Sequence, residues 1–253
     1  MYFNTHSHLN SEQLYPNRDL YIKNALGVGV ENITVVGYDS ETSKKAISIA
    51  HEYDFIYATV GVGPNDCLES SEEDLRIIEE LAQDDKVVAI GEIGLDYYWD
   101  DVPPDQQKEM FYKQIEIAKR VDKPIVIHCR DAYKDMYDIL EETKHYGIMH
   151  CYSGSLEMAK RYISLGYMIS LAGTVTFKNA KTPKKVAEGV DLKYLLIETD
   201  DPYLTPTPFR GKQNEPGHCI YVAKEIAKLK GISEEEVANV TTNNARRIFK
   251  LCI

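Results

Sequence analysis

The sequence predicts a single (β/α)8 TIM barrel with extra C-terminal helices, and three observations carry that reading. Short β-branched apolar runs alternate with longer amphipathic stretches from end to end, as repeated βα units around a parallel sheet require. Eight such runs are present. The length of 253 residues matches the roughly 250 typical of this barrel. No linker, low-complexity stretch or charge block interrupts the pattern, so residues 1–253 are expected to form one domain.

The predicted strands are Tyr2 to His8, Asn32 to Gly37, Phe55 to Val62, Lys86 to Ile93, Pro124 to His128, Gly147 to Cys151, Tyr167 to Leu171 and Tyr194 to Thr199. Their centres ITVV, VVAI, IVI and YLLI are continuous apolar runs, the signature of strands covered on both faces. Helices are expected at Arg18 to Leu26, Glu41 to Tyr53, Ser71 to Gln83, Asp105 to Val121, Asp131 to Lys144, Leu156 to Leu165 and Ala180 to Glu188. Asp39 before Ser-Glu-Thr, and Ser70 before Ser-Glu-Glu, put oxygen-bearing side chains ahead of acidic first turns. There they accept from free backbone N–H groups and complement the helix dipole. Beyond the eighth strand, Gly217 to Lys230 and Ser233 to Leu251 read as two closing helices.

Hydrophobic residues at 43% and charged residues at 27% supply a large core and an ordinary soluble surface. No run nears the roughly 18 apolar residues of a membrane span, and the opening MYFNTHSHLN has neither the basic start nor the apolar stretch of a signal peptide. A cytoplasmic protein with no membrane contact, monomeric or weakly oligomeric, is expected. Lys plus Arg total 29 against 40 Asp plus Glu, a net charge of -11. That excludes a protein that coats nucleic acid with a basic face, so a phosphate polymer must be met locally. Cys67, Cys129, Cys151, Cys219 and Cys252 are odd in number and lack a C-x-x-C spacing; they read as reduced thiols.

The chemistry begins at Thr5-His6-Ser7-His8, where residues two apart on a strand face the same way and bring two imidazoles to one spot. Glu92 in IGEIGLD, His128 in IVIHCR, His150 in GIMHCYS and Asp200 in LLIETDD each stand where an apolar strand stops. In a barrel those ends form the catalytic face. Four imidazoles and two carboxylates on one rim are costly unless a cation gathers them, so divalent metal binding is predicted. His51 and His145 fall on polar helix faces and read as solvated, whereas His218 reads as a structural or capping residue. Tyr97, Tyr98 and Trp99 read as rings packed under a mouth loop, with base stacking as the alternative.

The blocks THSHL, GEIGLDYY, PIVIHCRDA, HCYSGS, GTVTFK, LLIETDDPYL, RGKQNEP and the final NNARRIF resemble the TatD family of metal-dependent deoxyribonucleases, within the amidohydrolase-like barrels. They occur in family order over nearly the whole chain. The resemblance implies two divalent metal ions, with His6, His8 and Asp200 on one, His128 and His150 on the other, and Glu92 between them. It also implies hydrolysis of phosphodiester bonds by a metal-activated water, with nucleic acid, DNA first, as the substrate. Zn, Mn, Co and Ni suit mixed imidazole and carboxylate ligation better than Mg does. Asp200 is assigned as general base and Glu92 as the group that sets the spacing of the ions. Arg130, Arg210, Lys178 and Lys212 are the candidates for substrate phosphate, the arginines by their fork of donors.

Glu198 shares a strand side with Asp200 and is expected deeper in the same site or on a further ion. Two positions depart from the family text: Asn4 stands where Asp is usual, and Asp201 where Ala is common. The competing readings are a hydrolase of an ester or C–N bond, in a small molecule or aminoacyl-tRNA, and a metal-stabilised scaffold without activity. Glu92 stands where related barrels acting on such bonds often carry a bridging lysine.

Overall fold

The computed structural model describes residues 1–251; Cys252 lies outside them. Eight strands form one sheet in the order β1 to β8, every neighbouring pair parallel. They are β1 (Tyr2–Ser7), β2 (Val30–Val36), β3 (Ile56–Val60), β4 (Val87–Asp96), β5 (Ile125–Arg130), β6 (Gly147–Met149), β7 (Tyr167–Leu171) and β8 (Leu195–Ile197). The sheet closes on itself at the rim. Asp200 N–H donates to the His6 carbonyl at 3.1 Å and His8 N–H to that of Asp201 at 3.2 Å, and Ser7 bridges Asp201 in parallel register.

Helices α1 (Arg18–Gly27), α2 (Ser40–Glu52), α3 (Glu72–Leu81), α4 (Pro104–Arg120), α5 (Tyr133–Thr143), α6 (Leu156–Ser164) and α7 (Lys181–Gly189) alternate with the strands, and α8 (Cys219–Lys230) and α9 (Glu234–Ile248) follow β8. Asp39 caps α2 through the Thr42 N–H at 2.6 Å, a bond whose loss costs about 1 kcal/mol. On α3 the cap is Ser71 rather than Ser70. Its hydroxyl accepts from Asp74 N–H while Asp74 reaches back to Ser71 N–H, and Ser70 donates instead to the Asp66 carbonyl.

Three strand ends differ from the sequence reading in ways that matter for the site. β4 runs three residues past Ile93 because Gly94, Leu95 and Asp96 pair with His128, Cys129 and Arg130. β6 and β8 stop early, so His150 and Asp200 stand on loops just beyond them.

The barrel interior holds Phe3, Val88, Ala89, Val126, Ile148, Met168 and Leu196, and Ala245 and Ile248 of α9, with Phe249 just after it, lie beneath them. Phe249 lies 5.8 Å from Phe3, ring to ring. Burying such side chains stabilises by roughly 1.5–3 kcal/mol each. Helix α9 therefore plugs the N-terminal end of the barrel, which leaves the C-terminal end open. Among the described residues, no helix is long and apolar enough to cross a membrane.

Candidate metal centre

The open end carries the six predicted ligands, and the fold brings them into one cluster. His6 and His8 project from the end of β1 with Nε2 atoms 3.2 Å apart. Glu92 lies between two sets of imidazoles. Its Oε2 is 3.4 Å from His6 Nε2 and 3.6 Å from His8 Nε2; its Oε1 is 2.8 Å from His128 Nδ1 and 3.0 Å from His150 Nε2. Asp200 Oδ1 completes the first set at 3.7 Å from His6 and 3.5 Å from His8. Donors bonded to one ion at about 2.0–2.2 Å and at least a right angle apart lie about 3–4.4 Å from each other. His6, His8 and Glu92, and likewise Glu92, His128 and His150, keep their donor atoms within 4.8 Å of one another, as one ion requires; Asp200 reaches the two imidazoles of the first group but falls outside it.

Local backbone features make the approach possible. At Gly94, with φ of +142°, a Cβ would lie 2.1 Å from the His128 carbonyl oxygen, so only glycine lets β5 come close enough for His128 to meet Glu92. Cys151 (φ +42°) and Asp200 (φ +54°) take the left-handed conformation immediately beside the site. Non-glycine residues hold it at a cost of about 1–2 kcal/mol, and such positions concentrate at functional sites.

Two further carboxylates orient the imidazoles. Asp96 Oδ2 sits 2.8 Å from His128 Nε2, and Glu198, wholly buried, sits 3.3 Å from His150 Nδ1 while accepting from Cys151 N–H at 2.7 Å. Holding the far ring nitrogen of a ligand histidine fixes its tautomer and direction. Asp96 was not singled out from the sequence, although its place in GLD, four residues along the strand from Glu92, puts both side chains on one face. Glu198 does lie deeper, as its register with Asp200 implied.

Burial opposes charge in this cluster, yet at Glu92, Asp200 and His128 the neighbours outweigh it. Glu92 is held well below the usual carboxylate range by His150 and His128, and Asp200 is held down to about 2 by His8, His150 and His6. His128 is pushed up to about 9 by Asp96 and Glu92. His6 goes the other way, lowered by its enclosure and by His150, whose ring stacks on it at 3.9 Å. Without an ion, protons on imidazoles balance the carboxylates, and a metal must displace them.

The donor set fits divalent cations. Among the described residues, no Lys or Arg pairs with Glu92, Asp200 or Glu198, and His6 Nδ1 and Glu198 Oε2 are buried without a hydrogen-bond partner. Buried carboxylates lacking a permanent cation are costly until one is supplied.

The model of the TatD related DNase family matches residues 3–250. This chain belongs to the TatD family. It is 50% identical over 254 residues to YabD of Bacillus subtilis, an uncharacterized metal-dependent hydrolase, covering 99% of this chain and all of that protein. With the uncharacterized metal-dependent hydrolase TatD of Mycobacterium tuberculosis it shares 37% identity over 238 residues, 91% of this chain and 90% of the other. The crystal structure of YjjV, a TatD homologue from Escherichia coli, superposes with a TM-score of 0.94 at 28% identity, covering 99% and 98% of the two chains. The chain is thus a metal-dependent hydrolase of the TatD family.

The two departures from the TatD pattern prove to be neighbours. Asn4 donates to Thr199 Oγ1 at 2.7 Å, and Thr199 donates to Asp201 Oδ2 at 2.6 Å. Asp201 also accepts from Ser7 Oγ at 2.8 Å and His8 N–H at 3.0 Å. It is fully buried, and burial raises its carboxyl to about 6. This TatD chain therefore carries Asp201 as an anchor beneath β1 and β8, outside the cleft.

A cleft of about 300 Å³ opens above the cluster, lined by His8, Tyr38, Asp66, Glu92, His128 and Tyr203 among others. None of the four predicted phosphate contacts lines it. Arg130, at the end of β5, and Arg210, Lys178 and Lys212, on rim loops, are all exposed. Arg130 stacks over Tyr98 and Arg210 over Phe177, each at 3.6 Å, and among the described residues no acid pairs with any of the four.

Three other expectations are corrected or refined. His145 is buried rather than solvated, its Nε2 2.9 Å from the Lys123 carbonyl, because the loop after α5 folds it against the barrel. His51 is half exposed beside Asp84, and His218 is structural, stacked on Phe209 and bonded to Asn214. Tyr98 and Trp99 are not packed under their loop. They are 53% and 50% exposed, whereas Tyr97 is half-buried with its hydroxyl on Asp135.

Proposed function

We propose that this TatD hydrolase cleaves phosphodiester bonds in nucleic acid, DNA foremost, using two divalent ions. The observation that carries the reading is Glu92, whose two oxygens face two separate imidazole sets. His6, His8 and Asp200 with Glu92 would hold one ion, and His128 and His150 with Glu92 the other; imidazole-rich ligation favours Zn, Mn, Co or Ni over Mg. Bound there, two such ions lower the pKa of a coordinated water and neutralise charge on phosphoryl oxygens.

The side chains divide the remaining work. Asp200, ionised at neutral pH, accepts the proton of the attacking water at its carboxylate. Glu92 fixes the separation of the two sets, and Asp96 and Glu198 hold His128 and His150 in the tautomers that face inward. Arg130, Arg210, Lys178 and Lys212, outside the cleft, suit the flanking phosphates of a polymer rather than the one being cut. Ring stacking orders both guanidiniums and leaves their donors free.

A second reading has its own observation. The cleft wall carries Asp66, whose carboxyl burial and Asp39 raise to about 6, and no Lys or Arg. A neutral ester or C–N substrate, aminoacyl-tRNA included, fits such a wall. Metal-exchanged protein incubated with labelled single- and double-stranded DNA, RNA, small phosphodiesters and carboxylic esters separates the two. Cleaved DNA is expected; turnover confined to esters or amides overturns the nuclease assignment.

A further inference from the structure

We infer that Tyr98, Trp99 and Arg130 form a stacking platform for unpaired bases of a single-stranded nucleic acid leaving the active-site mouth. The inference rests on the nuclease reading and names the form of substrate that site accepts.

Exposure is the first observation. Tyr98, Trp99 and Tyr203 are the exposed aromatic residues among the described ones, and all three stand on loops at the catalytic rim. The other large exposed apolar residues are aliphatic: Met1, Leu20, Leu26, Val28 and Leu68. Tyr98 and Trp99 meet edge to face at 4.8 Å, with the Arg130 guanidinium 3.6 Å over the Tyr98 ring and 5.9 Å from that of Trp99.

The second observation is that the backbone carrying the exposed rings is tied to the candidate metal cluster. Asp96 Oδ1 accepts from the N–H groups of Tyr98 and Trp99 at 3.0 and 3.4 Å, while its Oδ2 lies against His128. Gln107, buried, clamps both ends of the loop. It accepts from Asp96 N–H at 2.7 Å and donates to the carbonyls of Asp96 and Val102 at 2.8 and 2.9 Å. One carboxylate thus sets both a ligand imidazole and the platform, so a base on the rings is registered against the cluster.

The chemistry points to bases rather than phosphates. Asp100 and Asp101 follow Trp99 and disfavour a phosphate beside that ring, leaving the ring faces as the surface for bases and Arg130 as the local cation for a flanking phosphate. Aromatic faces with an arginine are how single strands are held without sequence preference, because every base has a π-face. Paired bases keep their faces within the duplex, so the platform selects unpaired ones.

Trp99 is the sole tryptophan of the chain, which makes its emission a local reporter. Metal-loaded protein is titrated with a phosphorothioate-linked oligothymidylate and with an abasic oligomer of the same length, linkage and charge. The base-bearing oligomer is expected to quench Trp99 and the abasic one not. Tyr98→Ala should weaken its Kd roughly five- to hundredfold and Tyr98→Phe restore it, with circular dichroism and metal content unchanged. Equal quenching by both oligomers, or undiminished affinity in Tyr98→Ala, overturns the platform even if DNA is cleaved. Selective quenching without cleavage of any phosphodiester leaves the platform standing and removes the nuclease reading.

Discussion

The two ends of the barrel solve the same problem, charged groups out of water, in opposite ways. At the closed end, Lys123 Nζ donates to the carbonyls of Ala82, Asp84 and Val87, and Lys86 to those of Tyr53, Asp54 and Ile56. Both half-buried ammonium groups are met by backbone oxygens already present. At the open end Glu92, Asp200 and Glu198 meet imidazoles and, for Glu198, the Cys151 N–H, but no Lys or Arg among the described residues, so their charge is balanced by protons or by added ions. One end is complete as folded, whereas the other is built around something it must bind. The comparison teaches that net polarity does not distinguish a structural site from a functional one; the missing partner does.

The sharpest way to break this contrast is at the open end. Asp200→Asn should lower kcat by roughly a hundred- to ten-thousandfold while retaining much of the metal, as read by turnover and elemental analysis. Full activity in that variant refutes Asp200 as the base.

A smaller effect is expected one step outward. Asp96→Asn removes the charge behind His128 but keeps an acceptor for the Tyr98 N–H, and metal affinity or activity should fall about 10–100-fold. An unchanged metal titration curve would show that His128 is oriented without it.

At the closed end, Lys123→Met strips three carbonyls of their donor. Each buried group left unpaired costs about 1–3 kcal/mol, and 1 kcal/mol shifts Tm by roughly 2–4 °C for a chain of this size. Metal content should be unaltered, so loss of bound metal in this variant would erase the distinction between the two ends.

The smallest effect is a pH dependence confined to the open end. His128 has its folded pKa raised to about 9 from an ordinary value near 6.5. Its contribution is therefore fully present below about 6.5 and is lost as pH rises through about 9. Chelated protein should lose a few degrees of Tm across that window, and metal-loaded protein distinctly less, because the ion replaces the proton. Parallel melting curves with and without metal would contradict a proton-balanced cluster.

The fold was legible because its signals are local. Short β-branched runs such as ITVV and VVAI read as strands covered on both faces, and the Asp39 capping pattern fixes a helix start within a few residues. The clustering of the candidate ligands was legible for related reasons: His6 and His8 alternate onto one strand face, and Glu92, His128, His150 and Asp200 each stand where an apolar run ends. Less visible were Asp96, beyond the expected end of β4 at Ile93, which the pairing of β4 with β5 carries to His128, and His145, whose burial depends on how the loop after α5 folds back. The phosphate candidates were read from residue type and neighbouring text, and neither records distance from the cleft.

By itself the sequence determined the alternation of elements, the capping of α2 and the set of side chains gathered at the barrel's open end. These depend on neighbours within a few residues and on the two-residue alternation of a strand. Only the tertiary structure decided which oxygen of Glu92 faces which imidazoles, that Asp96 joins His128 to the loop of Tyr98 and Trp99, and that those rings stand in solvent. Each of these is a relation between strands or loops brought together by barrel closure, and closure is set by packing over the whole chain rather than by any segment of it.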